Sequence, residues 1–129
     1  MKRILYSFAI HGGAVGNIVL DQQLPDGLIV QDCVANVVTG VTSGGAATIA
    51  AGNQTTNNAY LTATAKASFA TTDLIVAGNL HSGPVKIRNT ASTQQFVIAV
   101  GTAALTAGVV EWYVQGFIPS DNTELTLNP

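Results

Sequence analysis

Apolar residues recur at alternate positions along most of this chain, in short runs broken by Gly, Pro and Asn. In residues 2–10, Ile4, Tyr6, Phe8 and Ile10 share one face at a period of two, which predicts a first β-strand. The glycines at 12, 13 and 16 end it, and residues 17–20 give a short second strand. Leu24-Pro25-Asp26-Gly27 is a strong turn signal, since Pro presets one torsion angle and Gly accepts a positive one. Residues 28–38 form the longest predicted strand, with Leu28, Val30, Asp32, Val34, Asn36 and Val38 on one face and Ile29, Gln31, Cys33, Ala35 and Val37 on the other. Neither face is cleanly polar, so both are expected to meet protein.

Residues 39–45 read as a turn-rich connection, 46–51 as a further strand and 52–58 as a polar loop. Residues 60–69 carry two signals: Ala and Lys favour helix, while the alternation of Leu61, Ala63, Ala65, Ala67 and Phe69 favours strand. A short helical turn is allowed there. Residues 73–77 form a brief apolar run, 78–84 a loop, and 85–89 a half-exposed alternation of apolar and charged residues. Residues 94–100 and 109–118 are predicted to pair as a hairpin across the loop 101–108, and 123–129 as a tail ordered only by a neighbour. About eight short strands with regular turns and no long amphipathic helix predict an all-β fold: a single-domain antiparallel β-sandwich, in its jelly-roll version. No repeat of fixed period and no domain linker is present.

Composition sharpens this picture. Charged residues make up 9% of the 129 positions, where globular proteins carry roughly a quarter. Residues 38–52 hold no charge at all. Low charge favours association, so the chain reads as a building block. The net charge of -2 and the scattered Lys2, Arg3, Lys66, Lys86 and Arg88 argue against a nucleic-acid partner and against a polybasic membrane anchor. No run approaches the roughly 20 apolar residues of a transmembrane helix. The apolar part of residues 1–10 is short for a signal peptide and no Ala-x-Ala site follows. Cys33 is the one cysteine, so no intrachain disulfide forms. It reads as a small buried hydrophobe in a protein made in a reducing cytoplasm.

Catalytic material is thin, and neither catalytic, metal nor cofactor residues are expected. His11 and His81 each lie beside Gly and read as solvent-facing loop residues. Gly40-Val41-Thr42-Ser43-Gly44 misses the nucleophile-elbow pattern, because Ser43 sits one place late. Most acidic residues, Asp21, Asp26, Asp32, Asp73, Asp121 and Glu124, fall at turns or strand ends. Glu111 is the exception. It reads as an exposed strand position, the alternative being a cross-strand pair with Lys86 or Arg88. Gly12-Gly13-Ala14-Val15-Gly16 lacks the ending of a phosphate loop. Asn53-Gln54-Thr55 fits a glycosylation acceptor, relevant only in a secretory compartment. Trp112 and Tyr113 share one strand. A sugar platform is conceivable, but a single Trp in an apolar strand is usually core.

The run LPDGLIVQDCVANVVTGVTSGGAATIAAG at 24–52 resembles a type found in tailed-bacteriophage structural proteins, and AALTAGVVEWYVQ at 103–115 is similar to their last hairpin. Asp32, Cys33 and the polar tail 123–129 depart from that pattern. The resemblance implies a virion protein, most like a capsid decoration or cement protein. It implies a homotrimer on the capsid surface whose partners are itself and the major capsid protein. No catalytic residues come with it. The uncharged segments 39–58 and 101–108 are the candidate contacts with neighbours, carried by Thr39, Val41, Thr42, Thr48, Ala103, Leu105 and Thr106. The alternatives are a tail, neck or fibre component, a carbohydrate-binding β-sandwich module, and a small hydrolase, against which the missing acid–base constellation weighs.

Overall fold

A computed structural model of the chain describes residues 2–21, 24–25, 27–70, 75–76, 85–86 and 94–118. Its elements are β1 (Lys2–Ser7), the helical turn α1 (Phe8–His11), β2 (Gly16–Asp21), β3 (Ile29–Ser43), β4 (Thr48–Gly52) and β5 (Leu61–Ala65). A 3₁₀ turn (Lys66–Phe69), β6 (Ile75–Val76), β7 (Val85–Lys86), β8 (Phe96–Gly101) and β9 (Leu105–Phe117) follow. The strands form two antiparallel sheets. One has the order β1-β9-β3-β6, with β7 also on β3; the other has the order β2-β8-β4-β5. The protein is an all-β sandwich, as the alternation predicts.

The core lies between the sheets. Ile4, Tyr6, Val30, Cys33, Ala35, Val37, Val41, Val110, Trp112 and Val114 come from the first sheet, and Ile49, Ala51, Leu61, Phe96, Ile98 and Val100 from the second. Its centre is aromatic: Trp112 meets both Phe69 and Phe96 at ring distances of 6.0 and 5.9 Å, and Phe96 stacks on Tyr60 at 5.8 Å. Such rings bury the largest apolar areas available to side chains.

Four sequence expectations are corrected. β3 does not stop at Val38 but runs through the supposed connection to Ser43. It survives there because register shifts between Val30 and Asp32 and between Val37 and Thr39 reset its alternation. Each bulge turns the following residues to the other face. The first shift lets Val30 and Cys33 both point inward, which strict period two forbids, and Ala35 and Val37 follow on the Cys33 face. Second, 94–100 and 109–118 do not form a hairpin: β8 pairs with β2 and β4, and β9 with β1 and β3, so the chain crosses between sheets at 102–104. Third, the first strand ends at Ser7 and coils into α1, which removes Ile10 from the strand face. Fourth, β9 begins at Leu105, inside the predicted loop. Both signals in 60–69 are realised in turn, as β5 and then the 3₁₀ turn.

Candidate functional site: an uncharged end of the sandwich

Three connections meet at one end of the sandwich: residues 8–15 between β1 and β2, residues 44–47 between β3 and β4, and residues 102–104 between β8 and β9. Hydrogen bonds join them. The Leu105 N–H donates to the Gly13 carbonyl at 2.8 Å, and the Ser43 hydroxyl donates to the Ala104 carbonyl at 2.6 Å. The first connection is pinned from below. The Tyr6 hydroxyl donates to Gly12 O at 2.6 Å, and the Ser7 N–H donates to His11 Nδ1 at 3.1 Å. Burial pushes the Tyr6 phenol up to about 12, so it stays a donor at neutral pH. Glycine permits the close approach: a Cβ on Gly45 would sit 2.7 Å from Ala103 Cβ.

No Asp, Glu, Lys or Arg occurs in 8–15, 44–47 or 102–104. Two of the large exposed apolar side chains, Ile10 at 73% and Val15 at 57%, lie in the first connection. Thr102, in the third, is the one non-glycine described at positive φ, +71°. Lys66 is the nearest cation in these elements, and its Nζ donates to Ser43 O at 2.9 Å. With no charged residue in the three connections and Lys66 as an adjacent cation, the arrangement can present a largely apolar surface to another macromolecule. Among the described residues no group of three or more His, Cys, Asp or Glu could hold a metal ion.

The two segments proposed as contacts converge here, though not as a pair of loops. Thr42 and Thr106 are exposed strand residues whose hydroxyls lie 2.7 Å apart. Thr48 is half-buried on β4 opposite Gly101, Ala103 is half-buried in the crossover turn, and Thr39 is exposed on β3 opposite Val109. Val41 and Leu105 are corrections. At 2% and 3% exposure their side chains belong to the core and are not free to meet a neighbour, because both positions lie within strands, β3 and β9, and not in loops. Sequence reasoning missed Ile10 and Val15. The signal was the Gly12-Gly13 break beside them, which marks a connection that cannot bury its neighbours.

Other candidates resolve differently. His11 is not a free loop residue: it is half-buried, ends α1 and stacks on Tyr6 at 5.8 Å. His81, Asp26, Asp73, Arg88, Asp121, Glu124 and the tail 123–129 lie outside the described residues. Trp112 is 1% exposed and cannot act as a sugar platform in this fold. Asn53 is buried, its Oδ1 accepting from the N–H groups of Thr55 and Thr56, so it is no accessible glycosylation acceptor. Cys33 is buried, and burial, with Asp32 beside it, pushes its thiol up to about 12. Glu111 pairs with Arg3 of β1, whose Nε donates to Oε2 at 2.6 Å, and Asn36 Nδ2 donates to Oε1 at 3.0 Å. The Asn36 bond and then the Arg3 bond hold this carboxyl below its ordinary range. Lys86 lies instead on β7, its backbone opposite Ile29.

No known protein family, curated protein or solved structure matches the chain. Among the described residues no helix is long and apolar enough to cross a membrane.

Proposed function

We propose that this protein is a non-enzymatic structural component of a tailed-bacteriophage virion, binding the capsid shell as a decoration or cement protein in several identical copies. The observation that carries this reading is the uncharged end of the sandwich, with Ile10 and Val15 exposed beside three bonded connections. A surface without charge gains little from water and loses little on docking. Ala, Gly and Thr also surrender little side-chain entropy there.

Two further points support it. The sequence resemblance of 24–52 and 103–115 is to phage structural proteins. The strand order β1-β9-β3-β6 against β2-β8-β4-β5 is compatible with the jelly-roll version of the sandwich, an architecture recurrent in viral capsids and also in lectins. Fold alone does not choose between those uses; the burial of Trp112 weighs against the sugar-binding one. A protein that binds only the assembled shell stabilises it by mass action, and symmetry-repeated weak contacts add through avidity.

The deciding experiment is the copy number of this chain in purified virions of its source, by quantitative mass spectrometry. A number comparable to that of the shell subunit is expected. A handful of copies would move the protein to the tail, neck or fibres, and absence from particles would overturn the virion reading.

A further inference from the structure

Strands β1, β9 and β3 carry polar side chains on the sheet face turned away from the core. Arg3 of β1 lies opposite Tyr113 of β9, and Tyr113 opposite Val34 of β3. To one side of this row Glu111 lies opposite Asn36, and to the other Gln115 lies opposite Asp32. At the Glu111 side the Arg3 Nε donates to Glu111 Oε2 at 2.6 Å, Asn36 Nδ2 donates to Oε1 at 3.0 Å, and the Tyr113 hydroxyl donates to Oε1 at 3.3 Å. One carboxylate beside Tyr113 thus already holds a guanidinium.

The Asp32 side has similar parts without the cation. Among the described residues, Asp32, Val34, Tyr113 and Gln115 line a hollow of about 240 Å³. Asp32 reaches this face through the bulge between Val30 and Asp32, because strict alternation from the inward Val30 would turn it to the core. One of its oxygens is fixed, accepting from the Cys33 N–H at 2.8 Å. No described cation pairs with its carboxylate. A positioned carboxylate and an aromatic face both favour a cation. A guanidinium suits them better than an ammonium, since its planar fork matches a carboxylate and its face stacks on a ring. The Gln115 amide oxygen offers a further acceptor. Sites for drug-sized ligands run from about 300 Å³ upward, so this smaller hollow suits a single side chain.

We propose that the hollow binds an arginine side chain of a partner protein, its guanidinium paired with the Asp32 carboxylate and stacked on the Tyr113 ring. Charge complementarity selects this occupant: Asp32 is the charged group of the described lining, and the net charge of -2 favours a basic partner. The hollow lies toward the start of β3, and the uncharged end of the sandwich lies beyond Ser43 at its other end. The inference therefore goes beyond the assembly reading and does not rest on it. Asp32 is exposed, so one such pair is weak by itself and gains strength when repeated across an assembly.

The test is an NMR titration of the isotope-labelled full chain with a blocked Gly-Arg-Gly peptide, beside the same peptide carrying lysine or citrulline, the neutral analogue of arginine. Saturable shifts of the Tyr113 ring and of the Asp32 and Gln115 amides are expected with arginine, weaker ones with lysine and none with citrulline. Asp32→Asn keeps an acceptor for the Cys33 N–H and so retains the fold, and it should weaken binding about tenfold or more. Tyr113→Leu should weaken it as well, whereas Tyr113→Phe, which keeps the ring, should not. An equal response to citrulline would make this a site for neutral ligands, and an equal response to lysine would make it unspecific attraction to charge. Either would overturn the proposal. So would binding unchanged in Asp32→Asn, or no saturable shift with the arginine peptide. None of these outcomes alters the virion copy number, so the two readings fail separately.

Discussion

The hydroxyls of Thr42 and Thr106 lie 2.7 Å apart and tie the end of β3 to the start of β9. The bond closes the stretch where the β3–β9 register shifts most often, between Thr39 and Ser43. Both residues are exposed, so water can replace either partner once the other is removed. Thr42→Val is therefore expected to cost under about 1 kcal/mol, and Thr106→Val a similar amount. In a double-mutant cycle by urea unfolding, the two losses should combine to less than their sum. Full additivity would mean that the hydroxyls do not interact.

The uncharged end gives a sharper contrast between folding and docking. Ile10 and Val15 are 73% and 57% exposed, so Ile10→Lys and Val15→Lys should leave stability within about 0.5 kcal/mol. Each would bury an unpaired ammonium in a docked complex, which costs several kcal/mol. Sedimentation with virion shells lacking the protein should show the parent chain bound and both variants free. Bound variants would remove this end of the sandwich from the contact.

Two glycines of the same end separate packing from chain entropy. A Cβ on Gly13 would lie 2.4 Å from Leu105 O and 2.7 Å from Leu105 Cβ, whereas one on Gly44 meets nothing within 4 Å. The Leu105 carbonyl belongs to backbone already fixed by the bond to Gly13, so it cannot yield cheaply. Gly13→Ala should lose about 1–3 kcal/mol, and Gly44→Ala should be neutral or gain up to about 1 kcal/mol. Thermal unfolding of the pair checks this; equal midpoints would mean that the crossover turn relaxes freely.

How far the sequence discloses this molecule depends on the range of the forces concerned. Alternation and turn chemistry are local, so the all-β class, β2, β4, the 3₁₀ turn and the burial of Trp112 and Cys33 are legible. The bulges of β3 are not. They answer to its partner β9, and without them Val30 and Cys33 cannot both point inward. The β8–β9 crossover is also hidden: Gly101-Thr102-Ala103-Ala104 has the look of a hairpin loop, and only packing sends the flanking strands to different sheets. For the candidate site, the uncharged residues 38–52 include the 44–47 connection that the fold places at one end of the sandwich. Ile10 and Val15 escaped notice because their exposure depends on where β1 stops.

Thr102 carries a backbone cost that glycine would not. Its φ of +71° lies in the left-handed region, which β-branched residues rarely enter. The penalty for an L-residue there is about 1–2 kcal/mol, partly offset by the extra freedom glycine brings to the unfolded chain. Thr102→Gly should raise the unfolding midpoint by a few degrees. A fall instead would show that the Thr102 side chain contributes contacts exceeding this strain.

Glu111 makes stability pH-dependent, with a sign set by its partners. The hydrogen bonds from Asn36 and Arg3 favour the carboxylate and lower its pKa from the ordinary 4.5. The folded state thus holds this proton less tightly than the unfolded chain. Its contribution is complete above 4.5 and is lost as pH falls through the folded value. Glu111→Gln should therefore be less stable than the parent chain at pH 7, by a small margin because Arg3 is 53% exposed and salt screens the pair. At about pH 3, below the ordinary 4.5, the unfolded chain takes up this proton more readily than the folded one, and the gap should narrow. Urea midpoints of both proteins at the two pH values test this, and raised salt should shrink the neutral-pH gap. A gap of the same size under acid would locate the effect in the shape of the side chain and not in its charge.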